Sequence, residues 1–201
     1  MKRVGIFGGT FSPPHNGHIH AAKEFLSAEK LDALLVIPTF LPPHKAMKGD
    51  ATPEERLRMC ELAFDFDPRI SVSDIEIRRG GKSYTAETLE ALSEDGVRLI
   101  FLCGTDMFLT MDRWYAPERI FNAAEIVYMR RENLLENAEN LRQKGNEYRK
   151  KYGATVREIK ASPYELSSST CRDGLRDDTL SSDAIPKKVW EYIEKCKLYR
   201  T

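Results

Sequence analysis

The sequence predicts an α/β protein built on a doubly wound parallel sheet, and three observations carry that prediction. Strand-like and helix-like runs alternate along all 201 residues. Two of the strand-like runs, Leu34-Leu35-Val36-Ile37 and Leu99-Ile100-Phe101-Leu102-Cys103, are continuously apolar. A glycine turn, Gly8-Gly9, separates the first strand-like run from a helical one. Continuous apolar runs suit strands that helices cover on both faces, and the alternation is the pattern of βα units.

Taken in order, Arg3–Phe7 is the first predicted strand. Ile19, Ala22, Phe25 and Leu26 then recur at helical spacing in a helix over 17–29. Further strands are predicted at Ala33–Pro38, Ile70–Ile75, Arg98–Cys103, Glu125–Met129 and Thr155–Ile159, with helices over 53–65, 85–94, 106–122 and 133–151. Thr52-Pro53-Glu54-Glu55 is a helix start with an N-cap threonine, proline at N1 and a capping-box glutamate at N3. Asn133–Lys151 is highly charged and only weakly amphipathic, so it reads as a solvated surface helix. No repeat, low-complexity tract or linker interrupts the pattern. Residues 1–201 therefore read as a single domain, long enough for one substantial core, with a small C-terminal helical segment.

Lys+Arg and Asp+Glu are both 31, and this balance argues against a general binder of nucleic acid or anionic membrane. A small-molecule partner is favoured. Met1-Lys2-Arg3 runs straight into a strand without the apolar stretch of a signal peptide, and no run approaches membrane-spanning length. Cys60, Cys103, Cys171 and Cys196 are scattered without a CxxC pair, which predicts reduced thiols and cytoplasmic residence. Cys103 and Cys171 read as small core residues.

In doubly wound sheets ligands sit beyond the carboxyl ends of the strands, where Gly8-Gly9 falls. Strand, glycine turn and helix start together present backbone N–H groups and a helix dipole to an anion. Gly-Gly alone is an ordinary strand-ending turn. His15 and His18, three apart, flank this one and can donate to phosphate oxygens, so phosphate chemistry is the reading. A zinc site at His15, His18 and His20 is disfavoured, because no fitting cysteine or acidic ligand lies nearby and His20 falls on another helical face. Neither the P-loop nor the dinucleotide glycine pattern occurs.

The whole stretch Gly8-Gly9-Thr10-Phe11-Ser12-Pro13-Pro14-His15-Asn16-Gly17-His18 resembles the signature of the HxGH nucleotidyltransferases. Other segments narrow the resemblance to the bacterial nicotinate mononucleotide adenylyltransferases. They are Ile37–Lys45, ending Pro-Pro-His-Lys; Arg79–Leu89, carrying Ser83-Tyr84-Thr85; Gly104-Thr105-Asp106 with Trp114-Tyr115; Leu166–Arg172; and the closing Ile185–Ile193. The resemblance spans the chain outside 130–160. It implies a Rossmann-like nucleotidyltransferase fold and adenylyl transfer from ATP to nicotinate mononucleotide, with Mg²⁺ carried by the ATP and no dedicated protein ligands. Sister transferases with another acceptor, such as the amide mononucleotide, and a non-catalytic nucleotide-binding protein stand as alternatives.

By resemblance, His15, His18, Lys45 and Arg172 are the catalytic residues. Gly8, Gly9, Thr10, Phe11, Gly104, Asp106, Ser168 and Ser169 join His15, His18 and Arg172 in binding ATP. His44, Lys45, Ser83, Tyr84, Thr85, Trp114 and Tyr115 bind the acceptor. Each role has a plainer counterpart. Lys45 neutralises triphosphate charge or is a solvated surface lysine. Ser168, Ser169 and Arg172 form a second anion clamp or a serine-capped helix. Trp114 and Tyr115 supply a stacking plane and a polar contact, or pack in a core. Thr85 and Asp106 hold the acceptor carboxylate and the ribose or adenosine, or cap their helices. The implied partners are the two small-molecule substrates, without nucleic acid or membrane, and a homo-oligomer is left open. Three departures stand out: Ser12 where the family has aspartate, Ser169 for threonine, and Met129-Arg130-Arg131-Glu132 for the family's Arg-Pro-Gly.

Overall fold

The computed structural model describes residues 1–42, 51–130, 136–162, 164 and 166–200. The strands are β1 (Lys2–Gly9), β2 (Ala33–Pro38), β3 (Ile70–Val72), β4 (Val97–Gly104), β5 (Glu125–Met129) and β6 (Val156–Ile159). They form one six-stranded sheet in the order β3-β2-β1-β4-β5-β6. Lys2 to Ile6 pair in parallel with Val97 to Phe101, and β4·β5 and β5·β6 are parallel as well. The helices are α1 (Asn16–Ala28), α2 (Pro53–Ala63), α3 (Ile75–Arg79), α4 (Thr85–Ala91), α5 (Thr105–Thr110), α6 (Pro117–Ala123), α7 (Glu136–Tyr152), α8 (Ser168–Arg176) and α9 (Lys187–Cys196). This is the α/β architecture that the sequence predicts, and α8 and α9 are its C-terminal helical segment. Among the described residues no helix is long and apolar enough to cross a membrane.

The predicted strands at Ala33–Pro38 and Glu125–Met129 match β2 and β5 residue for residue. Two expectations change. The strand expected over Ile70–Ile75 stops at Val72, and the short helix α3 begins at Ile75, with Asp74 at its N-cap position paired to Arg78 one turn on. The single helix expected over 106–122 is two helices, with a 3-10 turn at Met111–Arg113 between them. Ala116 adopts φ +48° there and Pro117 takes N1 of α6, so the helical bond ladder cannot continue through this point.

Contacts gather the chain into two compact units. One comprises 1–7, 24–34 and 84–164. Its interior holds Leu99, Ile100, Phe101, Leu102 and Cys103 of β4, all buried, as the unbroken apolar run demands. Helix α7 is less solvated than its charge suggests. Leu141, Gly145 and Tyr148 form a narrow buried stripe at i, i+4 and i+7, and Tyr148 packs edge-to-face on Phe108 while its hydroxyl donates to the Phe108 carbonyl at 2.7 Å. Glu29, buried, accepts from both Arg3 and Arg157, and Arg157 also reaches Glu125 at 2.6 Å.

The other unit comprises 8–23, 35–83 and 165–201. Helix α2 begins as the sequence predicts: the Thr52 side chain accepts from the Glu55 N–H, and the Glu55 carboxylate accepts from the Thr52 N–H at 2.7 Å. Its buried stripe is Arg56, Met59, Cys60 and Ala63. Helix α9 buries Val189 and Ile193, and its Lys188 pairs with Asp65 just beyond α2.

Gly5 in β1 has a steric reason. A Cβ there would press on Leu31 and Leu34 and lie 2.8 Å from Phe25 Cε1. Replacement Gly5→Ala should lower unfolding free energy by about 1–3 kcal/mol through overpacking. Urea unfolding checks this, and an unchanged midpoint would show that the three side chains yield freely.

Candidate active site

The chain leaves β1 at Gly9 and reaches α1 at Asn16 through a loop, four of whose carbonyls are held from outside it. The Gly9 carbonyl accepts from the Thr39 N–H at 2.9 Å, and the Thr10 carbonyl from Arg56 Nη1 at 2.9 Å. The Ser12 carbonyl accepts from Arg172 Nη1 at 2.8 Å, and the Pro13 carbonyl from Ser168 Oγ at 3.0 Å. In a trans peptide the N–H points opposite the preceding C=O. Fixing the Gly9 and Thr10 carbonyls on their partners therefore aims the Thr10 and Phe11 N–H groups away from those partners.

Phe11 adopts φ +49°, a left-handed conformation unfavourable for a bulky residue. Burial holds it there. Its ring, 1 % exposed, packs edge-to-face on Phe64 at 5.8 Å and on His18 at 4.9 Å. Gly9 accommodates that ring, since a Cβ on Gly9 would lie 3.0 Å from two of its carbons. Such strain persists only where surroundings over-determine it, and it clusters at ligand sites.

The two histidines come together at the start of α1. Their rings lie 3.8 Å apart between centroids and are tilted by 39°. The His15 N–H donates to His18 Nδ1 at 3.2 Å, and the His15 carbonyl accepts from the N–H of His18 at 2.8 Å. A backbone N–H can only donate, so His18 Nδ1 is the acceptor and the ring proton sits on Nε2. His18 thus carries an N–H donor at the mouth of a helix, and His15 is buried beside it.

The N-terminus of α8 joins this group. Ser167 is its N-cap, accepting from the Thr170 N–H at 3.0 Å. Arg172 Nη2 donates to Ser169 Oγ at 3.2 Å while Nη1 holds the Ser12 carbonyl. The sequence reads Ser168, Ser169 and Arg172 as either an anion clamp or a capped helix. The cap belongs to Ser167, and the hydroxyl of Ser168 and the guanidinium of Arg172 reach the glycine loop.

Residues 6–174 match the cytidylyltransferase-like family. A probable nicotinate-nucleotide adenylyltransferase of Clostridium acetobutylicum is 34% identical over 201 residues, covering 99% of this chain and 100% of the relative. The chain belongs to the nicotinate-nucleotide adenylyltransferase family. A second member, from Bacillus subtilis, is 30% identical over 203 residues and the match covers 100% of both chains. The solved structure of Plasmodium falciparum nicotinic acid mononucleotide adenylyltransferase complexed with NaAD shares the fold, with a TM-score of 0.79 at 17% identity, covering 99% of this chain and 98% of that one.

The family's remaining motifs fall as follows. In the unit of 84–164, the rings of Tyr84 and Tyr115 lie 4.4 Å apart, and Arg119 sits over Tyr115 while pairing with Glu90. Trp114 is half-buried edge-on to Phe101 at 6.5 Å, so core packing accounts for one side of its ring. Thr85 is the first residue of α4, whose N-cap is Tyr84. Gly104 is the N-cap of α5, and Asp106 is exposed in its first turn, where a carboxylate suits the helix dipole; it is not the cap. Ser83, buried in the other unit, accepts from the Phe40 N–H at 2.9 Å, and its own N–H donates to the Leu41 carbonyl at 2.9 Å. His44, Lys45, Arg131 and Glu132 lie outside the described residues.

The departures have structural answers. Ser12 is buried and its hydroxyl shares a hydrogen bond with the Tyr199 hydroxyl at 3.1 Å, so this position braces the loop against the C-terminal segment. Ser169 keeps the oxygen that Arg172 uses. Arg130 pairs with Glu158 at 2.6 Å. The sequence reading misses Tyr199 and Arg56. A signal for Arg56 exists: it occupies the first position of the stripe 56, 59, 60 and 63, where an amphipathic helix calls for an apolar residue.

Burial pushes the Cys60 and Cys103 thiols well above their ordinary value and Cys171 up to about 11. Cys196 is exposed. Native-state alkylation at neutral pH, read by peptide mass spectrometry, should label Cys196 ahead of the other three, because only an accessible thiolate reacts. Equally fast labelling of Cys171 would contradict its placement in the core.

Proposed function

We propose that this protein transfers the adenylyl group of ATP to nicotinate mononucleotide, yielding nicotinate adenine dinucleotide and pyrophosphate. One observation carries the reading: a strained glycine loop whose carbonyls are tied back, flanked by His18 Nε2–H and the first turn of α8, in a chain 34% identical along its whole length to a probable nicotinate-nucleotide adenylyltransferase. A phosphate oxygen of the acceptor attacks the α-phosphorus in line, the bond to the β-phosphate oxygen breaks, and pyrophosphate leaves. The attacking phosphate is already anionic at neutral pH, so the step needs no general base.

Catalysis is then positioning and neutralisation of charge on oxygen. Thr10 and Phe11 N–H groups, with Gly8 and Gly9 allowing close approach, hold the phosphates. His15, His18, Arg172 and Lys45 act on the reacting phosphates, and Ser168 and Ser169 add their backbone N–H groups at the α8 N-terminus. Gly104 and Asp106 take the adenosine side. Ser83, Tyr84, Thr85, Trp114, Tyr115 and His44 take the acceptor, for which the paired aromatic rings of Tyr84 and Tyr115 offer a surface. Mg²⁺ enters as the counter-ion of ATP and is part of the substrate. Cytoplasmic residence belongs to the same proposal, supported by four free cysteines.

The test is pyrophosphate release with ATP and Mg²⁺ over the acid and amide mononucleotides. The acid should be the better acceptor; equal or faster use of the amide refutes the assignment. His18→Ala should lower turnover by roughly 100- to 1,000-fold, the usual effect of removing one preorganised donor. Near-parental turnover in that variant would remove His18 from the mechanism.

A further inference from the structure

We infer that Arg56 is a positioning residue for the proposed adenylyl transfer, setting the orientation of the glycine loop that receives the phosphates. The inference rests on the reading of that loop as the phosphate site. Arg56 is 1 % exposed and lies in the buried stripe of α2 with Met59, Cys60 and Ala63. A methionine or leucine would fill that stripe without the desolvation that a guanidinium suffers, and well-packed apolar replacements of buried charges are often neutral or stabilising. Its contribution is therefore to be sought in its bonds.

Those bonds go to two backbone carbonyls from different segments. Nη1 donates to Thr10 at 2.9 Å and Nη2 to Phe40 at 3.0 Å. The planar guanidinium thereby links the loop after β1 to the segment after β2 at a fixed spacing. Lysine, whose three donors sit on one compact nitrogen at the end of a flexible stem, cannot reproduce the fixed spacing of a planar two-carbonyl fork. The Thr10 bond also sets the plane of the Thr10–Phe11 peptide, and so the direction of the Phe11 N–H, at the residue whose left-handed φ of +49° most needs external support. Ser83 reinforces the far end, accepting from the N–H of Phe40 whose carbonyl Arg56 holds. Burial of the charge lowers its pKa from the ordinary guanidinium value, while nearby Cys60, Tyr199, Glu54 and Glu76 act the other way. A positive charge kept this close beneath the loop, in a low-dielectric setting, also favours an anion on it.

Arg56→Lys keeps the charge and breaks the fork; Arg56→Met fills the volume and removes both. Arg58→Lys, two residues on and on the exposed face of α2 beside Glu61, is the control. Two readouts separate positioning from general support. Amide hydrogen exchange of the unliganded protein should quicken at least 10-fold at residues 9–12 in both Arg56 variants, while amides of β4 and β5 stay within about twofold of the parent. Turnover of folded protein should fall by about 100-fold in Arg56→Lys, the scale expected for misplacement by about 1 Å, with KM for the mononucleotide little changed. Unchanged exchange at 9–12, or turnover within about threefold of the parent, overturns the inference, as does exchange that rises evenly through the protein. A parent that releases no pyrophosphate refutes the assigned reaction instead, and the exchange readout then decides the role of Arg56 alone.

Discussion

A loop that offers N–H groups to an anion must keep its own carbonyls out of the way. Here the carbonyls of Gly9, Thr10, Ser12 and Pro13 each accept from a partner outside the loop: the Thr39 N–H, Arg56, Arg172 and Ser168. Two of the four donors are guanidinium groups, whose charge-assisted bonds are the stronger kind. The loop's conformation follows from these bonds and from the burial of Phe11, and is costly without them.

Much of the surrounding chain can be understood as delivering those donors. The end of β2 supplies Thr39 and Phe40, the capped helix α2 supplies Arg56, and α8 supplies Ser168 and Arg172 from its first turns. Tyr199, near the C-terminus, closes the set through Ser12. Helix α8 is itself anchored by buried Cys171 and Leu175, and α9 by Val189 and Ile193. The substitution of serine for the family's aspartate is then intelligible: the position needs a hydrogen-bonding group for a tyrosine, and a hydroxyl supplies one.

The sheet was legible because strands covered on both faces are written as uninterrupted apolar runs: β2 and β4 follow from Leu34–Ile37 and Leu99–Cys103, and β5 from the shorter run after Glu125. Breaks inside helical patterns were harder to read. Pro117 sits at N1 of α6, a favourable place, and only the left-handed Ala116 beside it marks where α5 and its 3-10 turn give way. The glycine loop and its histidines read as an anion site from their place between strand and helix, and the structure brings the two imidazoles together. What holds them was not legible: Arg56 lies 46 residues from Thr10, and Tyr199 lies 187 from Ser12. Such bonds leave no periodic trace, although a charged residue in the apolar stripe of α2 was a visible irregularity. The pairing of Tyr84 with Tyr115 is of the same kind, set by how α4 and α6 pack and not by local pattern.

The central claim is that the triphosphate of ATP lies against the braced loop. A crystal structure of the protein with Mg²⁺ and a non-hydrolysable ATP analogue tests it most directly. The account predicts phosphate oxygens within hydrogen-bond distance of the Thr10 and Phe11 N–H groups, His18 Nε2 and the first turn of α8, with the Thr10 carbonyl still on Arg56. A triphosphate bound elsewhere, with this loop empty, would contradict it.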